Sequence, residues 1–472
     1  MTRSELTSGN RLISRIHDRS ASLAIWGGGY IGLSAALAFA QAGFRCTVVD
    51  IKTELVRALN NGTIPPQQMV EGVQIDLAQL IRAGRFKASG GLSGTELSAI
   101  DVHLVCVPTE RDDRPYDEAL LSVLDQLSVL LSSSGEHIVS VESTIAPAWL
   151  EGHPLTQPLA GPPRLHIAMA PRRDWFPAEG RDLWTLPRVV GTVRGESQSV
   201  VQAFYATVSN QVLMASDWRH AALVKVVENS LRYIDIVLTN QLATAFPDMD
   251  VAEIMRLAAS KWNVQEYHPS FGIGGYCVPL APLYLMEQTK SGSHLSALRE
   301  AVNWDDGYAD IVAGQIASKR PEAVGILGAS YAPDTNIYHR SPALRLGRRL
   351  SERGVNVAVH DPFVSQEEAE ETFGLPWLDY PHHLDRFSLL LVGANHAAYR
   401  ELPAILSRLD SPPAVVDNLG GMRECFAGLS VPYSEMGAPG AFPSQHAQLP
   451  GMLPGAISPA GEQSASHLPQ QL

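Results

Sequence analysis

Residues 22–50 read SLAIWGGGYIGLSAALAFAQAGFRCTVVD, and this stretch decides the fold of the N-terminal part of the chain. It starts with the short apolar run 22–26, passes through a glycine-rich turn into a segment with helical spacing, and ends in a second apolar run, 46–49. The turn has the pattern Gly-x-Gly-x-x-Gly, formed by Gly27, Gly29 and Gly32. Together these features predict a strand, a tight turn, a helix and a second parallel strand, the unit that binds dinucleotides.

The residues of this unit have separate physical roles. Gly27 permits the tight turn, Gly29 lets a diphosphate approach the backbone, and Gly32 allows the helix to pack closely. Tyr30 and Ile31 open the helix, whose N-terminal amides stabilise phosphate charge. Asp50 ends the second strand and is expected to bond ribose hydroxyls and repel a 2′-phosphate, so the sequence predicts NAD rather than NADP as cofactor.

The composition is that of an ordinary globular protein. The chain has 472 residues, of which 45% are hydrophobic and 18% charged, enough for two or three domains. A net charge of −13 opposes binding to nucleic acid, which is not an expected partner. The four cysteines are scattered, which fits a reducing cytoplasm: Cys46, Cys106, Cys277 and Cys425. The N-terminal sequence does not have the pattern of a secretory signal.

A membrane span is the alternative for one stretch only. Residues 21–44 contain no charged side chain, which meets the length and polarity test for a spanning helix. The stretch holds five glycines, however, and runs directly into the strand that ends at Asp50. We therefore expect no membrane segment.

The rest of the chain predicts an α/β protein with two Rossmann-like, doubly wound domains joined by a long central helix. Short apolar runs alternate with helical patterns up to residue 210, and again between residues 311 and 437. Between them, residues 220–245 form a long helical pattern without glycine or proline, within a central region of residues 211–310. Residues 438–472 are rich in Pro, Ser, Gln, Ala and Gly, and are expected to form a disordered tail.

Several separate segments of the chain form a specific series. They are 27–33, 107–109, 142–144, Lys225-x-x-Glu228-Asn229, 274–277, 341–343 and Asp361-Pro362. With these segments in this order, the chain resembles the nucleotide-sugar 6-dehydrogenases, the UDP-glucose and GDP-mannose dehydrogenase family, over roughly residues 20–430. This resemblance implies an N-terminal NAD domain, a central helix used for homodimerisation, and a C-terminal domain that closes over a sugar nucleotide.

The resemblance also implies roles for individual residues. In the family a cysteine captures the aldehyde formed from the hexose C6 alcohol, and Cys277 matches that nucleophile. Lys225 and Asn229 lie four residues apart on one helix face and match the groups that stabilise an oxyanion. No metal is expected. Cofactor contacts are implied for Val107, Pro108, Thr109, Glu142, Ser143 and Thr144, and substrate contacts for Arg172, Arg173, Arg232, Gly274 and Gly275.

The same residues have plainer interpretations. Cys277 could be a small buried hydrophobic residue. Lys225 could be a solvated helix residue, and Asn229 a structural hydrogen-bonding group.

The chain departs from the family pattern at several functional positions. Ala281 stands where the family has the aspartate that assists hydrolysis, and Arg172 replaces an acid that faces the reacting group. Asn263 replaces an arginine that reaches the neighbouring subunit, and Ala332 replaces a lysine near the substrate. His339 stands where an arginine supports the cofactor phosphates, and Arg340 is a possible substitute one residue along.

Three functions remain open at this level. The first is NAD-dependent oxidation of a nucleotide sugar, or a related nucleoside sugar, at its primary alcohol, by two or four electrons. The second is a transient redox reaction that consumes no net NAD. The third is a non-catalytic relative that binds NAD or a sugar nucleotide.

Overall fold

The computed structural model describes residues 5–65, 76–133, 135–157, 165–173, 183–288 and 292–441. Within these residues the chain forms two large sheets connected by a helical region, and one small two-stranded sheet. Each large sheet is part of a separate α/β domain.

The first sheet belongs to the N-terminal domain and has the order β3-β2-β1-β4-β7-β8-β9-β10. From β3 to β8 its strands are parallel in the usual doubly wound order, whereas β9 runs antiparallel to β8. The strands of this domain, including the small hairpin β5–β6, are β1 (Ser22–Trp26), β2 (Arg45–Val49), β3 (Phe86–Ser89), β4 (Val102–Val105), β5 (Glu110–Arg111), β6 (Arg114–Pro115), β7 (His137–Val141), β8 (Leu165–Met169), β9 (Arg188–Thr192) and β10 (Val212–Met214).

Helices cover both faces of this sheet, because its strands are apolar on both sides. The helices are α1 (Glu5–His17), α2 (Tyr30–Gln41), α3 (Thr53–Asn60), α4 (Leu77–Arg82), α5 (Gly94–Ala99), α6 (Glu118–Leu127) and α7 (Gln198–Tyr205). One core holds the apolar faces of α1, α2 and α7, and the other holds those of α5 and α6. The doubly wound expectation for this domain is confirmed.

The central region is helical. Its longest helix has 28 residues and begins after Asp217, whose carboxylate accepts hydrogen bonds from the amides of Arg219 (2.8 Å) and His220 (3.1 Å). The region contains α8 (Trp218–Ala245), α9 (Val251–Ala258), α10 (Cys277–Gln288) and α11 (Ser296–Ser318). Helix α10 packs along α8, and α11 leads into the second sheet.

The second sheet is parallel throughout, with the order β12-β11-β13-β14-β15. Its elements are β11 (Ala323–Leu327), α12 (Pro342–Glu352), β12 (Asn356–His360), α13 (Gln366–Phe373), β13 (Leu389–Val392), α14 (Leu402–Leu406), β14 (Ala414–Asp417), α15 (Arg423–Phe426) and β15 (Tyr433–Glu435). The domain is doubly wound, as expected, but it follows the five-strand order 2-1-3-4-5 instead of copying the first sheet.

The chain stays packed beyond the predicted start of the tail at residue 438. Ala441 is buried, and its carbonyl accepts a hydrogen bond from Lys319 Nζ (3.0 Å). Residues 442–472 lie outside the described residues. Among the helices that are described, none is long and apolar enough to cross a membrane, and the charge-free stretch 21–44 divides into β1 and α2.

A buried carboxylate organises the end of the second sheet next to the helical region. Asp361, which follows β12, is fully buried. It accepts hydrogen bonds from the amides of Ala329, Ser330 and Phe363, from the Tyr338 hydroxyl and from His396 Nε2, over 2.8–3.2 Å. Burial alone would raise the pKa of Asp361, but these hydrogen bonds outweigh burial and hold the pKa below its ordinary value.

We expect Asp361→Asn to lower the free energy of unfolding at neutral pH by roughly 3 kcal/mol, because the NH2 group of asparagine would face N–H and O–H groups that are themselves donors. Since the folded-state pKa is lowered, the stabilisation by Asp361 is present above the unfolded pKa of about 3.9 and is lost as pH falls through the folded value. Calorimetric melting from pH 7 to pH 2 should therefore show a constant difference between the two proteins above about pH 4 and a narrowing difference below it. The exposed Asp379→Asn is the control, and a constant difference at every pH would contradict the charged role.

Candidate active site

The glycine turn after β1 is shaped by close backbone contacts. Gly27 has φ +95°, and a Cβ there would lie 2.7 Å from the carbonyl oxygen of Cys106. A Cβ on Gly32 would lie 1.9 Å from the Gly27 carbonyl oxygen, so only glycine fits. Gly29, the N-cap of α2, is exposed, and a Cβ there would have no neighbour within 4 Å. The open space over Gly29 and the first amides of α2 fits a cofactor diphosphate.

Asp50 lies beside this turn at the end of β2. Its Oδ2 accepts a hydrogen bond from the Gly28 amide (2.7 Å), and its Oδ1 accepts one from the Lys52 amide (2.8 Å). These bonds orient a half-buried carboxylate at the edge of the turn, where a ribose hydroxyl can still donate to it. The position fits the predicted role of Asp50.

Two further loops converge on the same edge of the sheet, because β1, β2, β4 and β7 are parallel and their carboxyl ends lie together. The loop after β4 holds residues 107–109, and the loop after β7 holds residues 142–144. Ser143 Oγ donates to the Val107 carbonyl (2.7 Å), and Thr109 Oγ1 donates to the Thr144 carbonyl (2.7 Å). The two loops therefore form one wall beside the glycine turn.

Glu142 lies beneath this wall rather than on its surface. It is only 2% exposed and pairs with Arg188 Nη2 (2.8 Å). The hydroxyl of Tyr205 donates to the same carboxylate (3.0 Å) and lies 2.7 Å from Ser140 Oγ. The sequence predicted a cofactor contact for Glu142, but its buried side chain instead supports the loop after β7 from the interior of the domain.

Arg172 also differs from its predicted place. Its side chain is 1% exposed, with Nη1 donating to the Ile31 carbonyl (3.0 Å) and Nη2 to Ser34 Oγ (3.1 Å). Nη1 also lies 3.6 Å from Glu142 Oε2. The guanidinium, which the sequence analysis placed in the substrate site, braces the first turns of α2 from the interior because the partners there satisfy its donors.

Arg173, the next residue, points to the central helix instead of open solvent. Its guanidinium forms a bidentate ion pair with Glu228 on α8, with Nε 3.0 Å from Oε2, and Nη1 donates to the Pro187 carbonyl (2.7 Å). This pair fixes the helix segment that carries Lys225 and Asn229. The substrate contact predicted for Arg173 remains a prediction.

Cys277 is exposed and is the first residue of α10. The loop before it is narrow: a Cβ on Gly274 would lie 2.7 Å from Pro342 Cδ, and Gly275 has φ +82° and faces the Tyr331 ring. The plainer interpretation of Cys277 as a buried hydrophobic residue does not hold. Both glycines shape the loop that presents the thiol.

Lys225, Asn229 and Arg232 lie on α8, against which α10 packs. Lys225 and Asn229 are partly buried, whereas Arg232 is exposed. Burial raises the pKa of Tyr331, the nearby Cys277 adds to this, and Arg232 opposes it. Cys277 and Arg232 thus both lie near Tyr331 of the C-terminal domain.

Ala281 lies one helical turn after Cys277 and is 2% exposed. It packs in an apolar cluster with Ala146, Val226 and Tyr284. The structure therefore offers no polar setting for a carboxylate at this position. Of the other altered positions, Asn263 is exposed and Ala332 is partly buried.

A contact that the sequence did not reveal joins the two α/β domains. His339 Nε2 lies 3.1 Å from Asp113 Oδ1 and 3.6 Å from Glu110 Oε2, both near the β5–β6 hairpin. The three side chains have the spacing of metal ligands, but exposed acidic groups often have this spacing without an ion, so we assign no metal to them. Motif matching had no signal for this contact, since the hairpin belongs to no motif.

Family models match three consecutive parts of the chain. They are described as the NAD binding domain, the central domain and the UDP binding domain of the UDP-glucose/GDP-mannose dehydrogenase family, and they match residues 21–209, 219–306 and 325–422. The chain belongs to this family. It is an NAD-dependent oxidoreductase, and the glycine turn described above lies within the part that matches the NAD binding domain.

Similar proteins agree with this assignment. The UDP-N-acetyl-D-mannosamine dehydrogenase of Pyrococcus horikoshii is 25% identical over 359 residues, 72% of this chain and 84% of that protein. The UDP-N-acetyl-D-glucosamine 6-dehydrogenase of Pseudomonas aeruginosa is 24% identical, over 82% of this chain and 93% of that protein.

A solved structure shows the same fold. The UDP-glucose dehydrogenase of Pyrobaculum islandicum has a TM-score of 0.73 at 22% identity, covering 89% of this chain and 98% of that one.

A matched pair of substitutions separates the two roles of the glycines. Gly32→Ala should destabilise the N-terminal domain by about 3 kcal/mol, because its methyl group collides with the Gly27 carbonyl. Gly29→Ala should change stability by less than about 1 kcal/mol, yet weaken NAD binding, because the methyl group occupies the open space over the turn. Thermal melting and calorimetric titration measure the two effects. Undiminished NAD affinity in Gly29→Ala would rule out this placement of the diphosphate.

Proposed function

We propose that this protein oxidises the primary alcohol of a nucleotide sugar with NAD, through a covalent intermediate on Cys277. The observation that carries the proposal is the exposed thiol at the start of α10, presented by a glycine loop between the cofactor domain and the C-terminal domain. A structural cysteine has no need of this position.

The substrate class follows from the relatives. Those named above act on UDP sugars by their names, and the model that matches residues 325–422 is described as a UDP binding domain. A UDP-linked hexose or N-acetylhexosamine is therefore the first substrate to test.

The residues of the cleft suit covalent capture of an aldehyde. NAD, when bound, accepts the hydride in each oxidation. The sulfur of Cys277 bonds to the aldehyde carbon, the carbonyl π bond breaks so that its oxygen takes the negative charge, and the thiol proton passes to water. We propose that Lys225 and Asn229, on the helix against which α10 packs, stabilise that oxyanion with a cation and an amide donor.

Release of the product is the step that this chain supports least. Ala281 replaces the family aspartate that would assist the hydrolytic water, and it packs among apolar side chains. Losing a positioned general base costs about 10²- to 10⁴-fold in rate. We therefore propose that a thioester on Cys277 is hydrolysed slowly, or that the enzyme stops at the aldehyde.

Mixing enzyme, NAD and UDP-N-acetylhexosamines or UDP-glucose should give a rapid burst of NADH followed by slow turnover, with acyl-enzyme on Cys277 visible by mass spectrometry. Cys277→Ala should abolish the adduct and the NADH formed in the second oxidation. Cys425→Ala removes the other exposed cysteine and serves as the control.

Other outcomes distinguish the competing functions. An unchanged rate and product in Cys277→Ser would reject covalent catalysis and leave a two-electron dehydrogenase. Product formation without net NADH would support transient redox chemistry instead. NAD binding without any turnover across the panel would favour the non-catalytic relative.

We also propose that the protein is a homodimer formed through α8 and α9. This side of the molecule exposes large apolar side chains, an arrangement that marks an interaction surface. They are Val227, Leu231, Leu238, Phe246, Met249, Ile254, Leu257 and Trp262, with Trp262 at 93% exposure.

Leu231→Glu combined with Leu238→Glu should dissociate the dimer, because two charges would have to be buried in an apolar contact. Light scattering after size exclusion should report twice the chain mass of 51.1 kDa for the unaltered protein and the single mass for the variant. Leu429→Glu, at an exposed leucine of the C-terminal domain, is the control. A monomer before substitution would refute the proposal.

A further inference from the structure

The loop that precedes Cys277 is attached to the C-terminal domain through His339. The Gly275 amide donates a hydrogen bond to the His339 carbonyl (3.0 Å). The imidazole of His339 stacks on the ring of Tyr276, with centroids 4.1 Å apart and planes 7° from parallel. The two residues directly before the thiol are thus both held by one histidine.

The other edge of the same imidazole faces the cofactor domain. Its Nε2 approaches Asp113 Oδ1 (3.1 Å) and Glu110 Oε2 (3.6 Å). Arg340, the next residue, reaches the second oxygen of Asp113 at 4.0 Å. These contacts require the β5–β6 hairpin of the cofactor domain to lie against the loop before α12 of the C-terminal domain. We call this the closed arrangement of the two domains.

We propose that His339 is a positioning residue, which couples closure of the two domains to the placement of Cys277. The proposal rests on the role of Cys277 given under the proposed function. In the closed arrangement the carboxylates hold the Nε2 edge of the imidazole, so a face of the same ring can keep Tyr276 in place. When the hairpin moves away, the imidazole loses its charged partners and the loop loses its lateral support.

The coupling makes a prediction that simple packing does not. Glu110 and Asp113 belong to the cofactor domain, and both carboxylates lie close to the Nε2 atom of His339. Substituting them should nevertheless loosen the loop that precedes Cys277. Combining Glu110→Gln and Asp113→Asn with His339→Ala should then add little, because both changes remove the same link.

Hydrogen exchange measured by mass spectrometry on the full chain, with NAD and EDTA present, tests this directly. The peptide covering residues 271–280 should exchange faster in His339→Ala, on the order of tenfold, and also in Glu110→Gln/Asp113→Asn. His339→Arg should restore protection, since a guanidinium also stacks on tyrosine and pairs with carboxylates. His382→Ala, at an exposed histidine of the same domain, is the control, and peptides from β11 and β13 should be unchanged in every variant.

Kinetics supply the second measurement. Misplacing the thiol should lower kcat roughly tenfold in His339→Ala while the KM for NAD stays within about twofold, because the reacting group moves and the cofactor site does not. Unchanged exchange in residues 271–280 would overturn the proposal. So would weaker NAD binding as the main effect, which would assign His339 to the cofactor instead. If no sugar nucleotide is oxidised, the proposed function fails, but the exchange measurement still decides whether His339 holds the loop.

Discussion

The close approach of α2 to the turn after β1 is the constraint on which the cofactor domain depends. The backbone at Gly32 lies so near the Gly27 carbonyl that a single methyl group would collide with it. This proximity points the first amides of α2 at the space over Gly29 and brings Asp50 within bonding distance of the Gly28 amide. Arg172 braces the same helix from the interior, through the Ile31 carbonyl. The shape of this turn thus results from one glycine contact supported by a buried cation.

Local patterns in the sequence anticipated much of this arrangement. The helix expected over residues 220–245 is α8. The glycine turn joins β1 to α2 and Asp50 follows β2, as the strand–turn–helix–strand pattern predicts, and the cysteine loop precedes α10. These features succeed because their geometry is set by residues close together in the chain. Propensity and glycine conformation suffice for them.

Features that depend on distant residues were not accessible in the same way. Arg172 meets Ile31 across 141 positions of sequence, so nothing local indicates that its guanidinium turns inward. The contact of His339 with Asp113 likewise joins two domains. The order of the second sheet depends on which apolar run pairs with which, and a parallel sheet leaves that choice to the packing of its helices. The sequence located these residues within the fold better than it predicted the orientation of their side chains.

The burial of Ala281 limits how the site could be redesigned. A carboxylate at this position would have to enter a cluster of Ala146, Val226 and Tyr284, at a cost of several kcal/mol unless a polar partner were introduced with it. Installing the family residue alone would therefore trade stability for a group that its surroundings do not support. A designer who wants a base at this point of α10 has to rebuild the neighbouring side chains together with it.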